Sequence, residues 1–164
     1  MKERRQLGLR GAPRIRNRKT KADYGDDAVL DIRMIHKDQA WRLRHEVMWP
    51  EKDLDYVKLK DDDEGTHFGL FEGEALISAV SLFVHGSEAQ FRKFATLTSH
   101  QNQGYGSRLL FHILGEAEQA GVKRIYCNAR SGKVSFYEKF GLTPTASTFT
   151  KGGKDYIVME RFFG

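Results

Sequence analysis

From residue 28 onward the spacing of apolar positions switches between the period of two expected of a strand and the period of about 3.6 expected of a helix. Ala28 to Ile35 reads as a strand. Lys37 to Trp49 reads as a helix with Ala40, Leu43 and Val47 on one face, stopped by Pro50. Glu51 to Lys60 has no clear period and is compatible with a short helix. Thr66 to Phe71, Ala75 to His85 and Glu88 to Leu97 read as three strands. The turns between them, Glu72-Gly73-Glu74 and Gly86-Ser87, are short, which predicts an antiparallel meander.

The connection changes character after Leu97. Leu109, Leu110, Ile113, Leu114, Ala117 and Ala120 recur as one stripe of a helix from Ser107 to Ala120, with Gly121 as its stop. Val122 to Asn128 is the next strand, and a strand, a helix and a strand at this length make a crossover, so the flanking strands should run parallel. A shorter helix over about Lys133 to Phe140 ends at Gly141. Leu142 to Thr150 and Asp155 to Phe162 close the chain as a hairpin around Gly152-Gly153. The pattern is that of an α+β domain with a central mixed sheet: an antiparallel N-terminal meander, one parallel crossover pair, and flanking helices.

Composition narrows the class. At 164 residues with 40 % hydrophobic and 30 % charged positions, the chain has the make-up of one soluble domain. No run approaches the ~18 apolar residues of a membrane span, and no apolar signal-peptide core is present, so a cytoplasmic protein without a membrane partner is expected. The single cysteine, Cys127, sits in an apolar run and reads as a small buried hydrophobe in a reducing compartment. The formal net charge of +5 is uneven, because residues 1–21 hold nine Lys or Arg and one acid, Glu3. With Gly8, Gly11 and Pro13 and little apolar content, residues 1–24 read as a basic, disordered tail ahead of a domain over 25–164. Such a tail is suited to weak, salt-dependent contact with a polyanion, or simply to solubility.

The candidate chemistry centres on Gln101-Asn102-Gln103-Gly104-Tyr105-Gly106, which joins a strand to the start of a helix. Unpaired backbone N–H groups at the positive end of a helix dipole suit a phosphate-bearing cofactor. A dinucleotide fingerprint does not fit, since the third glycine is missing and the following strand ends Cys127-Asn128-Ala129 rather than in an acid. A phosphate-binding loop of the Gly-Lys-Ser/Thr kind is absent. The six histidines form no zinc-motif pair, so no metal is expected. Asp61-Asp62-Asp63-Glu64 reads as a solvated acidic loop.

Gln101-x-x-Gly104-x-Gly106 resembles the Gln/Arg-x-x-Gly-x-Gly/Ala acyl-CoA signature of the GNAT superfamily of N-acetyltransferases. Cys127-Asn128-Ala129-Arg130 followed by Phe136-Tyr137-Glu138-Lys139-Phe140-Gly141-Leu142 resembles that superfamily's second landmark, a strand end leading into a short helix. The resemblance runs from about Val29 to Phe162, includes the helix around Leu43 to Val47, and leaves the tail outside. It implies a three-layer fold in which a bulged strand splays from its parallel neighbour and opens a V-shaped cleft.

It also implies acetyl-CoA as cosubstrate and direct attack by a primary amine of a small-molecule or peptide acceptor. Phe94, Ala95 and Thr96 would pair with the pantetheine arm through their backbones. Gln101, Asn102, Gln103, Gly104, Tyr105, Gly106 and Ser107 would bind the pyrophosphate, with Asn128 at the neighbouring strand end. Tyr137 matches the family's general acid, and the N–H of Ala95 or a neighbour would hold the oxyanion. Glu46 and Glu88 are the candidates for a general base. The contrasting function is a non-enzymatic acyl-CoA-binding or nucleic-acid-associated module on the same fold. A homodimer is compatible with either.

Overall fold

The computed structural model describes residues 14–17 and 29–164. Among these residues eight strands form one sheet, with three α-helices set against it. In chain order they are β1 (Arg14–Asn17), β2 (Leu30–Ile35), α1 (Lys37–Met48), β3 (Thr66–Glu72), β4 (Ala75–His85) and β5 (Glu88–Thr96). Then come α2 (Tyr105–Gln119), β6 (Arg124–Arg130), α3 (Val134–Glu138), β7 (Thr143–Lys151) and β8 (Lys154–Phe162). The sheet order is β1-β2-β3-β4-β5-β6-β8-β7. Every neighbouring pair is antiparallel except β5 and β6, which run parallel as the crossover through α2 requires.

Most of the basic tail expected to be disordered lies outside the described residues. Within it, Arg14 to Asn17 pair with Arg33 to Leu30 and extend the sheet edge. The remaining boundaries shift by a few residues for physical reasons. Helix α2 begins at Tyr105 rather than Ser107, because Gly104 takes a left-handed conformation at φ +87° and serves as the N-cap. Ala120 caps the other end and is exposed rather than buried with the stripe. The segment without clear period holds a short 3-10 turn, Leu54–Val57.

Two cores form on the two faces of the sheet. On one, Leu109, Leu110, Ile113, Leu114 and Ala117 of α2 pack on Phe68, Leu70, Val80, Leu82, Phe91 and Ile125. Burying each such side chain contributes about 1.5–3 kcal/mol relative to exposure, so α2 is held by its stripe rather than by helix propensity. Helix α1 covers the other face with Ala40, Leu43 and, less expectedly, Arg44, which is almost fully buried.

Arg44 corrects the expectation of a solvated acidic loop at one position: Asp63 and Glu64 are exposed and Asp61 is partly so, but Asp62 is buried. Its guanidinium forms a two-pronged pair with Asp62, Nη1 to Oδ2 at 2.8 Å and Nη2 to Oδ1 at 2.9 Å. Oδ2 of Asp62 also accepts from the Trp41 indole and the Leu59 N–H, each at 2.8 Å. Arg44 further donates to the Val57 carbonyl and to Ser81 Oγ, each at 2.9 Å. Ser81 in turn contacts His67 Nδ1 at 2.7 Å, and His67 Nε2 meets the Asp62 carbonyl at 2.9 Å. The directions close consistently when Ser81 donates to Nδ1 and Nε2–H donates to the carbonyl, which makes His67 neutral. Asp62 looks solvated in sequence because its partner lies 18 positions upstream, a single charged residue on the otherwise apolar face of α1.

No helix among the described residues is long and apolar enough to cross a membrane.

Burial raises the Asp62 pKa, and the bonds from Arg44, Trp41 and Leu59 together outweigh it and hold the carboxyl down at about 2. A depressed folded-state pKa contributes stability that is present above the unfolded value near 3.8 and disappears as pH falls toward about 2. Asp62→Asn should therefore destabilise the protein by roughly 3 kcal/mol or more at pH 7, because it strands a buried guanidinium. The difference from the wild type should narrow between pH 4 and pH 2. Urea unfolding of both proteins across this range checks it, and a gap that is small at pH 7 would show the pair to be dispensable.

Candidate active site

Strand β5 is interrupted by a bulge. Ser81 pairs with Arg92 and Ala79 with Ala95, so Val80 alone faces both Lys93 and Phe94, and Lys93 sits at φ +57°. On its other side β5 pairs with β6 only from Glu88↔Arg124 to Gln90↔Tyr126. Beyond that point the parallel strands part. The edge of β5 from Phe91 to Thr96 is thus left without a strand partner toward β6, and a cleft of about 480 Å³ opens there.

The loop after β5 is braced by its own glutamines. Gln101 Nε2 donates to the Thr96 carbonyl at 3.0 Å, and Gln103 Nε2 to the Ser99 carbonyl at 3.2 Å. Asn102 and Gly104 both take positive φ, +62° and +87°, and turn the chain into α2. The first helical bond of this turn runs from Arg108 N to Gly104 O at 3.1 Å, so the N–H groups of Tyr105, Gly106 and Ser107 precede the hydrogen-bonded ladder. They form the positive end of a helix of 15 residues. At Gly106 a Cβ would meet the Phe94 ring at 3.2 Å and Thr96 Oγ1 at 3.3 Å, so a side chain there would push these two groups back by a few tenths of an ångström. At Gly104 a Cβ would meet nothing, yet it would stand in the mouth of the turn at a φ that side chains avoid.

The third wall comes from β6 and α3. Arg130 ends β6, Lys133 precedes α3, and Phe136 and Tyr137 lie on α3. Tyr137 packs against Phe91 with ring centroids 5.9 Å apart and against Phe136 at 5.1 Å, which fixes the ring. Burial, and then the neighbouring Cys127 thiol, push its pKa above the ordinary phenol value, so the hydroxyl keeps its proton at neutral pH. The cleft is closed on the α1 side by Val47 and Met48.

Of the residues singled out in the sequence, Phe94, Ala95, Thr96, Gln101, Asn102, Gly104, Gly106, Ser107 and Tyr137 line this cleft. Gln103, Tyr105 and Asn128 do not. Gln103 bonds within its loop. Tyr105 is buried beside His100, at a centroid distance of 5.7 Å. Asn128 is exposed opposite Val158 of β8. The two acids considered as bases are also elsewhere, Glu46 on the exposed side of α1 and Glu88 paired with Arg124 at 3.3 Å at the far end of β5. None of the lining residues is a carboxylate; the ionisable ones are His100, Arg130, Lys133 and Tyr137. Sequence reasoning missed Arg130 and Lys133 as cleft residues, although both fall inside the landmark that runs from Cys127 to Leu142. Among the described residues no group of three or more His, Cys, Asp or Glu could hold a metal ion.

Residues 33–142 match the model of the acetyltransferase (GNAT) family. YitI of Bacillus subtilis strain 168, an uncharacterized N-acetyltransferase, is 30 % identical over 143 residues, which span 81 % of this chain and 96 % of YitI. A protein from Lactobacillus plantarum assigned as an N-acetyltransferase superposes with a TM-score of 0.72 at 20 % identity, covering 81 % of this chain and 97 % of that one. A GNAT family acetyltransferase from Elizabethkingia anophelis, solved with acetyl-CoA bound, superposes at 0.65 and 18 % identity, covering 82 % and 98 %. The two solved structures share the fold.

Cys127 is buried in the hydrophobic core, and burial pushes its thiol pKa up to about 12. In the native protein it should react with a thiol-specific disulfide dye at least about 100-fold more slowly than free cysteine, and at the free rate once unfolded. Stopped absorbance measurements with and without denaturant check this, and fast native labelling would show that the thiol is open to the cleft.

Proposed function

The chain belongs to the acetyltransferase (GNAT) family, and on that premise we propose that it moves an acetyl group from acetyl-CoA to a primary amine. Acyl transfer in general is the family's chemistry. The observation that carries the finer reading is the parting of β5 and β6 directly beside the glycine turn at the start of α2. It places an unpaired strand edge and the N–H groups that precede the first helical bond of α2 in one cleft. An acyl-CoA offers matching groups, amides along the pantetheine arm and a pyrophosphate behind them. The acetyl-CoA complex of the Elizabethkingia protein supports the same choice.

The residues fit that cosubstrate. Backbone groups of Phe94, Ala95 and Thr96 hold the pantetheine amides in the manner of an added strand. The Gln101 N–H donates to the Thr98 carbonyl at 3.3 Å, so the pyrophosphate falls to the turn from Asn102 to Ser107 at the helix start. Thioester activation is what the cosubstrate supplies. The N–H of Ala95 donates to the oxygen where negative charge develops, and its position is fixed by the bulge before it. Tyr137 gives its proton to the departing thiolate. The raised pKa of Tyr137 suits a donor that must stay protonated until the sulfur leaves. The amine attacks as the neutral base, and the new C–N bond replaces the C–S bond. The proton lost by the nitrogen is balanced through solvent by the one that restores Tyr137, so a net proton is released only when the amine arrives as its ammonium form.

Two variants test this. Gly104→Val places a branched side chain in the turn and should weaken acetyl-CoA binding at least about tenfold while circular dichroism stays native. Unchanged affinity by isothermal titration would remove the cosubstrate from this cleft. Tyr137→Phe keeps the ring contacts with Phe91 and Phe136, so melting temperature and acetyl-CoA affinity should hold. Its turnover with any amine the wild type accepts should fall by about 100-fold or more. Undiminished turnover in the saturated variant would sink the acid role.

A further inference from the structure

Lys93 is the extra residue of the β5 bulge and one of only two non-glycine residues at positive φ among those described. A side chain is disfavoured in that conformation, where glycine would sit without strain. The residue is half buried. Its ammonium forms no hydrogen bond or ion pair with the described residues. The charges that reach it are Arg44 on α1, Arg92 on its own strand, Lys151 at the tip of the β7–β8 hairpin, and Asp62. Asp62 is fully engaged with Arg44, Trp41 and Leu59. Arg92 is itself shared with Asp61 at 3.5 Å. Lys93 therefore stands as a cation in a net positive field, and burial followed by Arg44, Arg92 and Lys151 lowers its pKa below the ordinary lysine range against a smaller opposing pull from Asp62.

The position matters as much as the charge. Phe94 and Ala95, the next two residues, line the cleft, and so do Val47 and Met48 on α1. Val47 and Met48 follow Arg44 by three and four residues, so they occupy the same side of that helix one turn on. Lys93 thus lies at the rim of the cleft on the α1 side, across the sheet from the face where Tyr137 packs on Phe91.

We propose that Lys93 binds a carboxylate on the acceptor, and hence that the acceptor is an amine carrying a carboxylate. This rests on the acetyltransferase reading above. One uncommitted cation matches one negative charge, which a carboxylate carries, whereas a phosphate monoester carries nearly two. A polyamine is disfavoured, because its extra ammonium groups would meet the same positive field and no carboxylate lines the cleft to receive them.

The test uses CoA compounds whose sulfur is joined through a two-carbon acetyl bridge to the nitrogen of glycine, β-alanine or 4-aminobutyrate. Each has a twin ending in a carboxamide. Isothermal titration is run on the wild type and on Lys93→Arg, Lys93→Gln and Lys93→Gly, the last being free of backbone strain and serving as a second neutral variant. At least one carboxylate compound should bind about tenfold or more tighter than its twin to the wild type, and the preference should persist in Lys93→Arg. In both neutral variants the preference should fall below about twofold, with affinity for CoA alone within about threefold of the wild type. Twins of equal affinity in the wild type, or a preference that survives in Lys93→Gln and Lys93→Gly, overturn the carboxylate assignment and leave the acetyltransferase reading standing. Failure of the wild type to bind CoA at all overturns both.

Discussion

The buried pair of Arg44 and Asp62 is the constraint on which the arrangement of the α1 face depends. It ties α1 to the segment ahead of β3, and through Ser81 and His67 it ties both to the sheet. Two charges out of water are costly unless almost every remaining bonding site is filled, and here Asp62 accepts from three groups, two on α1 and one on the segment ahead of β3. The pair therefore specifies as much as it stabilises. A rotation of α1 would break several bonds at once, so Val47 and Met48 are held where they meet the cleft. His67 remains neutral because its two ring nitrogens are already assigned, one accepting and one donating, and burial depresses its pKa further.

The cleft itself arises from a local fault in pairing. A bulge adds one residue to β5, the strand bends, and the parallel partner cannot follow. What results is a sheet edge in the middle of a sheet, protected from other chains by the walls around it. Such an edge offers main-chain donors and acceptors whose directions are set by the fold and not by rotamers. The helix α2 that follows supplies a second set of donors a few residues on. Most of the expected cosubstrate contacts are therefore made by backbone, and side chains in this region mainly shape it, as Gln101 and Gln103 do by bracing the loop.

The ionisable side chains lining the cleft are Tyr137, Arg130, Lys133 and His100, with Lys93 close by on the β5 bulge. His100 is held by Glu72 at 3.3 Å and by Ser99 at 2.8 Å. This inventory matches the needs of departing thiolate and of anionic groups on the bound molecules. Glu88 on β5 is bound to Arg124 at the end of the strand that pairs with β6, away from the cleft.

Local patterns settled much of this protein. Alternation at β3 and β4, the stripe at α2 and the short turns at Gly73 and Gly86 are signals within one element, and they place the meander, the crossover and the closing hairpin without reference to distant residues. The glycine turn was also legible, since its chemistry lies in the backbone and in residues close together in sequence. Tertiary structure alone decided the rest. Asp62 looked solvated until Arg44 was brought to it, Tyr105 and Asn128 looked like cleft residues until strand and helix orientation turned them away, and Arg130 and Lys133 entered the cleft only when β6 and α3 were set against β5. Charge and orientation depend on what stands opposite a side chain, and that is fixed by packing between segments far apart along the chain.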